Sequence, residues 1–139
     1  ANSVANIPHS TLTRDLWDIV CNWAKEVGWK VVFGLNIYDG WSLAQGVQTY
    51  NPQRAMDLME YSIQAGHDVV GWELGNEPNL NDKGTTPEQV AASFPILKTA
   101  MLSIYSSVGG GTATSPKIFG PDTTKTGASF LSDTLQGVS

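Results

Sequence analysis

Basic residues are scarce in this 139-residue chain. Eight Lys and Arg stand against 13 Asp and Glu, for a formal net charge of −5. No Lys/Arg cluster is present to neutralise phosphates, which argues against a nucleic-acid partner. No apolar run approaches the roughly 20 residues that a membrane span needs. Residues 1 to 11 lack the basic start and apolar centre of a secretory leader. There is no Asn-x-Ser/Thr sequon. The single cysteine, Cys21, cannot form an internal disulfide. It reads either as a small buried hydrophobe on a helix or as the partner of a cysteine outside these residues. Neither G-x-G-x-x-G nor the P-loop pattern follows a predicted strand. The Gly run at 109 to 111 follows a helix and precedes a strand, the wrong place to cradle a phosphate. No cofactor and no metal are called for.

Apolar residues make up 41% of the chain, enough for one domain with a core. "LTRDLWDIVCNWAKEV", 12 to 27, carries Leu16, Ile19, Val20, Trp23, Ala24 and Val27 at helical spacing. Thr13 or Ser10 can cap its start, and Gly28 ends it. "WKVVFGLN", 29 to 36, reads as a strand apolar on both faces, as in a parallel sheet. "DGWSLAQG" reads as a loop. Residues 52 to 65 form a second amphipathic helix, with Pro52 at its start and Gly66 as its C-terminal cap. "DVVGWELG", 68 to 75, is the next strand. A third helix is expected over 87 to 107, with Pro95 inside it to kink or split it. "PKIFGPD", 116 to 122, is a third strand, and a further helix starts near Gly127. Strands alternating with helices predict right-handed βαβ units and a parallel sheet. The fold class is α/β: an open doubly wound sheet, or part of a (β/α)₈ barrel. The missing nucleotide motifs favour the barrel. Such a barrel takes about 250 residues, so the chain would supply a little under half.

In barrels the chemistry sits where strands end. The first strand here ends in Asn36 and runs on to Asp39, the second in Asn76 and Glu77, and the third in Asp122. Carboxamides and carboxylates delivered at one edge suit a sugar, whose hydroxyls need donors and acceptors and whose glycosidic oxygen needs an acid. A partly desolvated Glu can be held protonated for that role. Pro78 is expected to bias Glu77 towards an extended backbone. The blander alternatives are definite. Asn-Glu-Pro can be a plain turn, Asp39 and Asp122 can cap helices, and Glu73 can be a charge paired inside the barrel. His67 is expected on the surface, with Trp17, Trp23 and Trp29 in the core. Trp41 is either a sugar-stacking platform or core packing.

"VVGWELGNEPN", with "VVFGLN" before it and "KIFGPDT" after it, resembles glycoside hydrolase family 79, the heparanase family. The resemblance runs from about Leu12 to Leu135. It implies a partial (β/α)₈ TIM barrel, in which residues 1–139 are one segment of a single catalytic domain holding roughly strands three to five. By the same resemblance, Glu77 is the acid/base residue of a retaining glycosidase. Asn76 is its neighbour on the sugar, Asp122 matches a Gly-Pro-Asp stretch lining the family's cleft, and Asn36, from its strand end, is expected to bind substrate with them. The nucleophile, a Glu on the seventh strand, is expected outside these residues. Cys21 matches a cysteine of animal heparanases, which implies an upstream disulfide partner. Those enzymes carry basic clusters in the regions matching "ANSVANIPHS" and "TTKTGAS", where Lys125 is the only Lys or Arg here. The expected partner is therefore a weakly sulfated or unsulfated glucuronide glycan, besides the remainder of the barrel. The family also implies a secreted, extracellular or lysosomal setting. The competing expectation is a non-catalytic barrel that binds carbohydrate or serves the extracellular matrix, and the Asn76–Glu77 pair argues against it. A xylosidase or cellulase of the same broad group is disfavoured by the Trp-Glu-Leu-Gly stretch.

Overall fold

The computed structural model describes residues 11–38, 41–44, 47–80, 85–108, 115–124 and 128–137. Helix α1 spans Arg14–Glu26. Its N-cap is Thr13, whose hydroxyl accepts from the Leu16 amide at 3.2 Å. Strand β1, Val31–Leu35, follows. Two short strands, β2 (Trp41–Ala44) and β3 (Val47–Tyr50), pair antiparallel, with Ala44 opposite Val47. Helix α2 is Gln53–Gln64, and β4 is Val69–Leu74. Helix α3 runs unbroken over Pro87–Ser107. Its start is a capping box, in which Thr86 accepts from the Gln89 amide and the Gln89 side chain accepts from the Thr86 amide. Strand β5 is Lys117–Phe119 and helix α4 is Ala128–Gln136.

The three strands expected to be parallel form one sheet in the order β1-β4-β5, and both pairings are parallel. Two chemically different faces result. Trp72 of β4 is wholly buried, and Trp17 of α1 packs with it and with Phe33 of β1. Met59, Val90, Leu97, Met101 and Tyr105 complete that core from α2 and α3. The indole N–H of Trp17 donates to the Ser62 hydroxyl at 3.0 Å, so a buried donor is satisfied inside the helix layer. On the other face the Phe119 ring lies over Gly71, beside Val32, and Val32, Gly34 and Phe119 are exposed.

Several expectations are corrected by this packing. Residues 41 to 44, read as part of a loop, form a strand paired antiparallel with 47 to 50. Pro95 does not split α3. Among the described residues helices cover only one face of β1, and its other face, at Val32 and Gly34, is exposed. In α1 the buried stripe is Trp17, Cys21 and Ala24, while Leu16, Ile19, Val20 and Trp23 are exposed. Trp23 and Trp29, placed in the core by sequence, are 52% and 64% exposed and pack edge-on against each other at 5.1 Å. His67 is not a surface residue. Its side chain is 7% exposed and its Nε2 lies 2.6 Å from Asp18 Oδ1. Tyr61 donates its hydroxyl to the same carboxylate at 2.8 Å, so Asp18 ties α1 to α2 and to the turn before β4. These bonds, His67 first, hold the Asp18 carboxyl below its ordinary pKa.

Candidate active site

The candidate site is the C-terminal edge of the parallel sheet. Leu35 is in register with Leu74, and the Gly75 amide donates to the Leu35 carbonyl at 3.0 Å. Asn36 therefore leaves β1 at the level where Asn76 leaves β4. On the other side Asn76 pairs with Asp122 in an isolated parallel bridge. Asn36, Asn76–Glu77 and Asp122 thus follow three adjacent strands at one end, with Glu77 behind the central strand. Asp39 and the side chain of Trp41 lie outside the described residues. Two cavities, of about 180 Å³ between α1 and the α2–β4 turn and about 570 Å³ between α2 and α3, lie away from this edge.

Two glycines let the backbone make this edge. Gly75 has φ +79, and a Cβ there would sit 3.1 Å from Ile37 Cγ2. Gly120 has φ +120, and a Cβ there would come within 3.2 Å of the Leu74 carbonyl oxygen. Both positions need a residue without a side chain.

Glu77 itself is the exception to that economy. Its φ is +48, and no other non-glycine among the described residues has positive φ. The expectation that Pro78 keeps Glu77 extended is therefore corrected. The chain instead turns sharply, and the Leu80 amide donates to the Glu77 carbonyl at 3.1 Å. Pro78 then occupies the position that its fixed φ suits in a β-turn. Such a backbone costs of order 1–3 kcal/mol and persists only where neighbours over-determine it. Tyr38 donates its hydroxyl to the Asn76 carbonyl at 3.0 Å. Thr85 donates to the Pro78 carbonyl at 2.8 Å. Asn79 donates its amide to Thr124 Oγ1 at 2.7 Å and accepts from the Thr124 backbone N–H at 3.0 Å. The Asn36 side chain accepts from the Tyr38 amide at 2.9 Å, so it also shapes the first loop.

Glu77 is half-buried and Asp122 exposed. Sequence reasoning missed Tyr38, Asn79 and Thr124, and the one available signal was the second Asn of Asn-Glu-Pro-Asn, a turn-forming residue. Among the described residues no group of His, Cys, Asp and Glu is arranged to hold a metal. No helix among them is long and apolar enough to cross a membrane.

The model for the N-terminal domain of glycosyl hydrolase family 79 matches residues 2–136. The chain is similar to a baicalin-beta-D-glucuronidase of Scutellaria baicalensis, at 30% identity over 138 residues, covering 86% of this chain and 25% of that protein. It is 35% identical over 71 residues to a heparanase of Gallus gallus, covering 51% of this chain and 13% of that protein. A hyaluronoglucuronidase of Hirudo nipponia is 26% identical over 133 residues, covering 92% of this chain and 26% of that protein. The chain spans about a quarter or less of the length of these relatives.

Proposed function

The chain belongs to glycosyl hydrolase family 79, and from that premise we propose that it is the acid/base segment of a retaining β-glucuronidase. In this reading the sheet β1-β4-β5 is the part of a (β/α)₈ barrel holding roughly strands three to five. The exposed face bearing Val32, Gly34 and Phe119 is then the barrel interior, closed by strands outside these residues. An extracellular or lysosomal place of action goes with it. The observation that carries the proposal is Glu77: a carboxyl behind the central strand, in a strained turn, with Asn36 and Asp122 following the strands on either side. Strain of this kind collects at functional sites.

The chemistry follows from a glycosidic bond lying across that edge. Glu77 in its acid form gives its proton to the leaving oxygen while a carboxylate outside this chain attacks the anomeric carbon. The Glu77 carboxylate then takes a proton from water, which displaces the sugar from the enzyme with net retention. Asn76 and Asn36 bond sugar hydroxyls, and Asp122 accepts from another. The relatives named for glucuronides motivate the choice of sugar. The net charge of −5 favours a glycan with few sulfates.

The test is Glu77→Gln in the complete protein. On a natural glucuronide with a poor leaving group, kcat/KM should fall by about 10²–10⁴-fold, the usual range for general acid catalysis. On an aryl glucuronide with a good leaving group the fall should be much smaller. Equal losses on both would remove Glu77 from the acid role. No loss on either would favour a carbohydrate-binding barrel without catalysis.

A further inference from the structure

We propose that the Asn79–Thr124 pair is a positioning device for Glu77, locking its turn to the loop after β5. The inference rests on the acid/base reading above. Its basis is the way the Glu77 turn is restrained. Within the turn, the Leu80 amide meets the Glu77 carbonyl and Thr85 meets the Pro78 carbonyl. Both bonds stay within residues 77 to 85, so they shape the turn without fixing where it sits on the sheet. Tyr38 reaches across from the β1 side and holds the Asn76 carbonyl. On the β5 side the task falls to Asn79.

Asn79 is suited to it. Its amide donates to Thr124 Oγ1 at 2.7 Å, and its carbonyl oxygen accepts from the Thr124 backbone N–H at 3.0 Å. Two bonds from one planar group to one residue fix orientation as well as distance. Thr124 lies two residues beyond Asp122, whose backbone already pairs with Asn76. The Asn76–Asp122 bridge and the Asn79–Thr124 pair therefore bracket Glu77 on the same side. The left-handed backbone of Glu77 needs such bracketing, since a strained conformer relaxes when its restraints go. A proton donor must hold its reach to within a fraction of an ångström, and a misplacement of about 1 Å can cost on the order of 100-fold.

The experiment compares Asn79→Ala, Thr124→Val and Thr124→Ser with Glu77→Gln in the complete protein, on the two leaving groups. Thr124→Val is nearly isosteric and removes the hydroxyl end of the pair. It and Asn79→Ala should lower kcat/KM on the poor leaving group by about 10- to 100-fold, and on the activated aryl glucuronide by much less. Thr124→Ser, which keeps the acceptor oxygen, should recover most of the loss. In a Glu77→Gln background Asn79→Ala should no longer change the ratio between substrates, because no acid is left to misplace. Equal losses on the two substrates, while Glu77→Gln still discriminates between them, would overturn the positioning role and leave the acid assignment standing. If Glu77→Gln does not discriminate, the acid assignment fails first. Loss of folding in Asn79→Ala leaves Thr124→Val against Thr124→Ser to decide.

Discussion

Replacing Glu77 by Gly and by Ala gives a stability comparison whose sign follows from the backbone alone. Both substitutions remove the carboxyl and almost the whole side chain. They differ in what they do at φ +48. A left-handed conformation costs a residue with a Cβ roughly 1–2 kcal/mol. Gly avoids that cost but gives up about 0.5–1 kcal/mol through its freer unfolded chain. The difference leaves Glu77→Gly more stable than Glu77→Ala by about 0–1.5 kcal/mol. The neighbouring Asn76, which has no positive φ, is the control. There the order should reverse, with Gly less stable than Ala by about 0.5–1 kcal/mol. Urea unfolding of the complete protein, with unchanged slopes, would show midpoints displaced in opposite directions at the two positions. Ala more stable than Gly at position 77 would refute the claim that the Glu77 turn is strained. It would also remove the reason for the bracketing bonds.

Two further outcomes test the layer that supports the site. Ser62→Ala leaves the buried Trp17 indole N–H without its acceptor, and unfolding measurements should show a loss of about 1–3 kcal/mol. Asp18 has a folded-state pKa below its unfolded one, chiefly through His67 and then Tyr61. Its contribution to stability is therefore full above the unfolded Asp value and lost as pH falls through the folded one. Asp18→Asn should flatten the acid limb of a stability–pH curve and leave its neutral region level. An acid limb unchanged by the substitution would count against the tie between α1 and the turn before β4.

Much of the fold was legible because β1, β4 and β5 are short apolar runs separated by helical patterns, a spacing that leaves few topologies. The position of Glu77 at a strand end came from the same pattern. Other features were hidden for physical reasons. Helix α1 has Trp17 on one side and Leu16, Ile19, Val20 and Trp23 around it, so periodicity alone could not choose the buried stripe. The hairpin was missed because only Gln45 and Gly46 separate its strands, and that pair is not one of the strong Asn-Gly or Asp-Gly signals. The left-handed backbone of Glu77 ran against the ordinary effect of a following proline. The Asn79–Thr124 pair joins residues 45 apart in sequence, and no local pattern announces it.

The most direct measurement uses azide with the Glu77→Gly variant. Without its base, the glucuronyl-enzyme formed from an activated aryl glucuronide should wait for a nucleophile that needs no deprotonation. Azide is such a nucleophile, and it is small enough for the space that the side chain leaves. It should accelerate turnover and give a glucuronyl azide of β configuration, the outcome of a second displacement on the face that Glu77 serves. An α-glucuronyl azide would make Glu77 the nucleophile instead. Unimpaired hydrolysis with no azide product would take it out of the reaction.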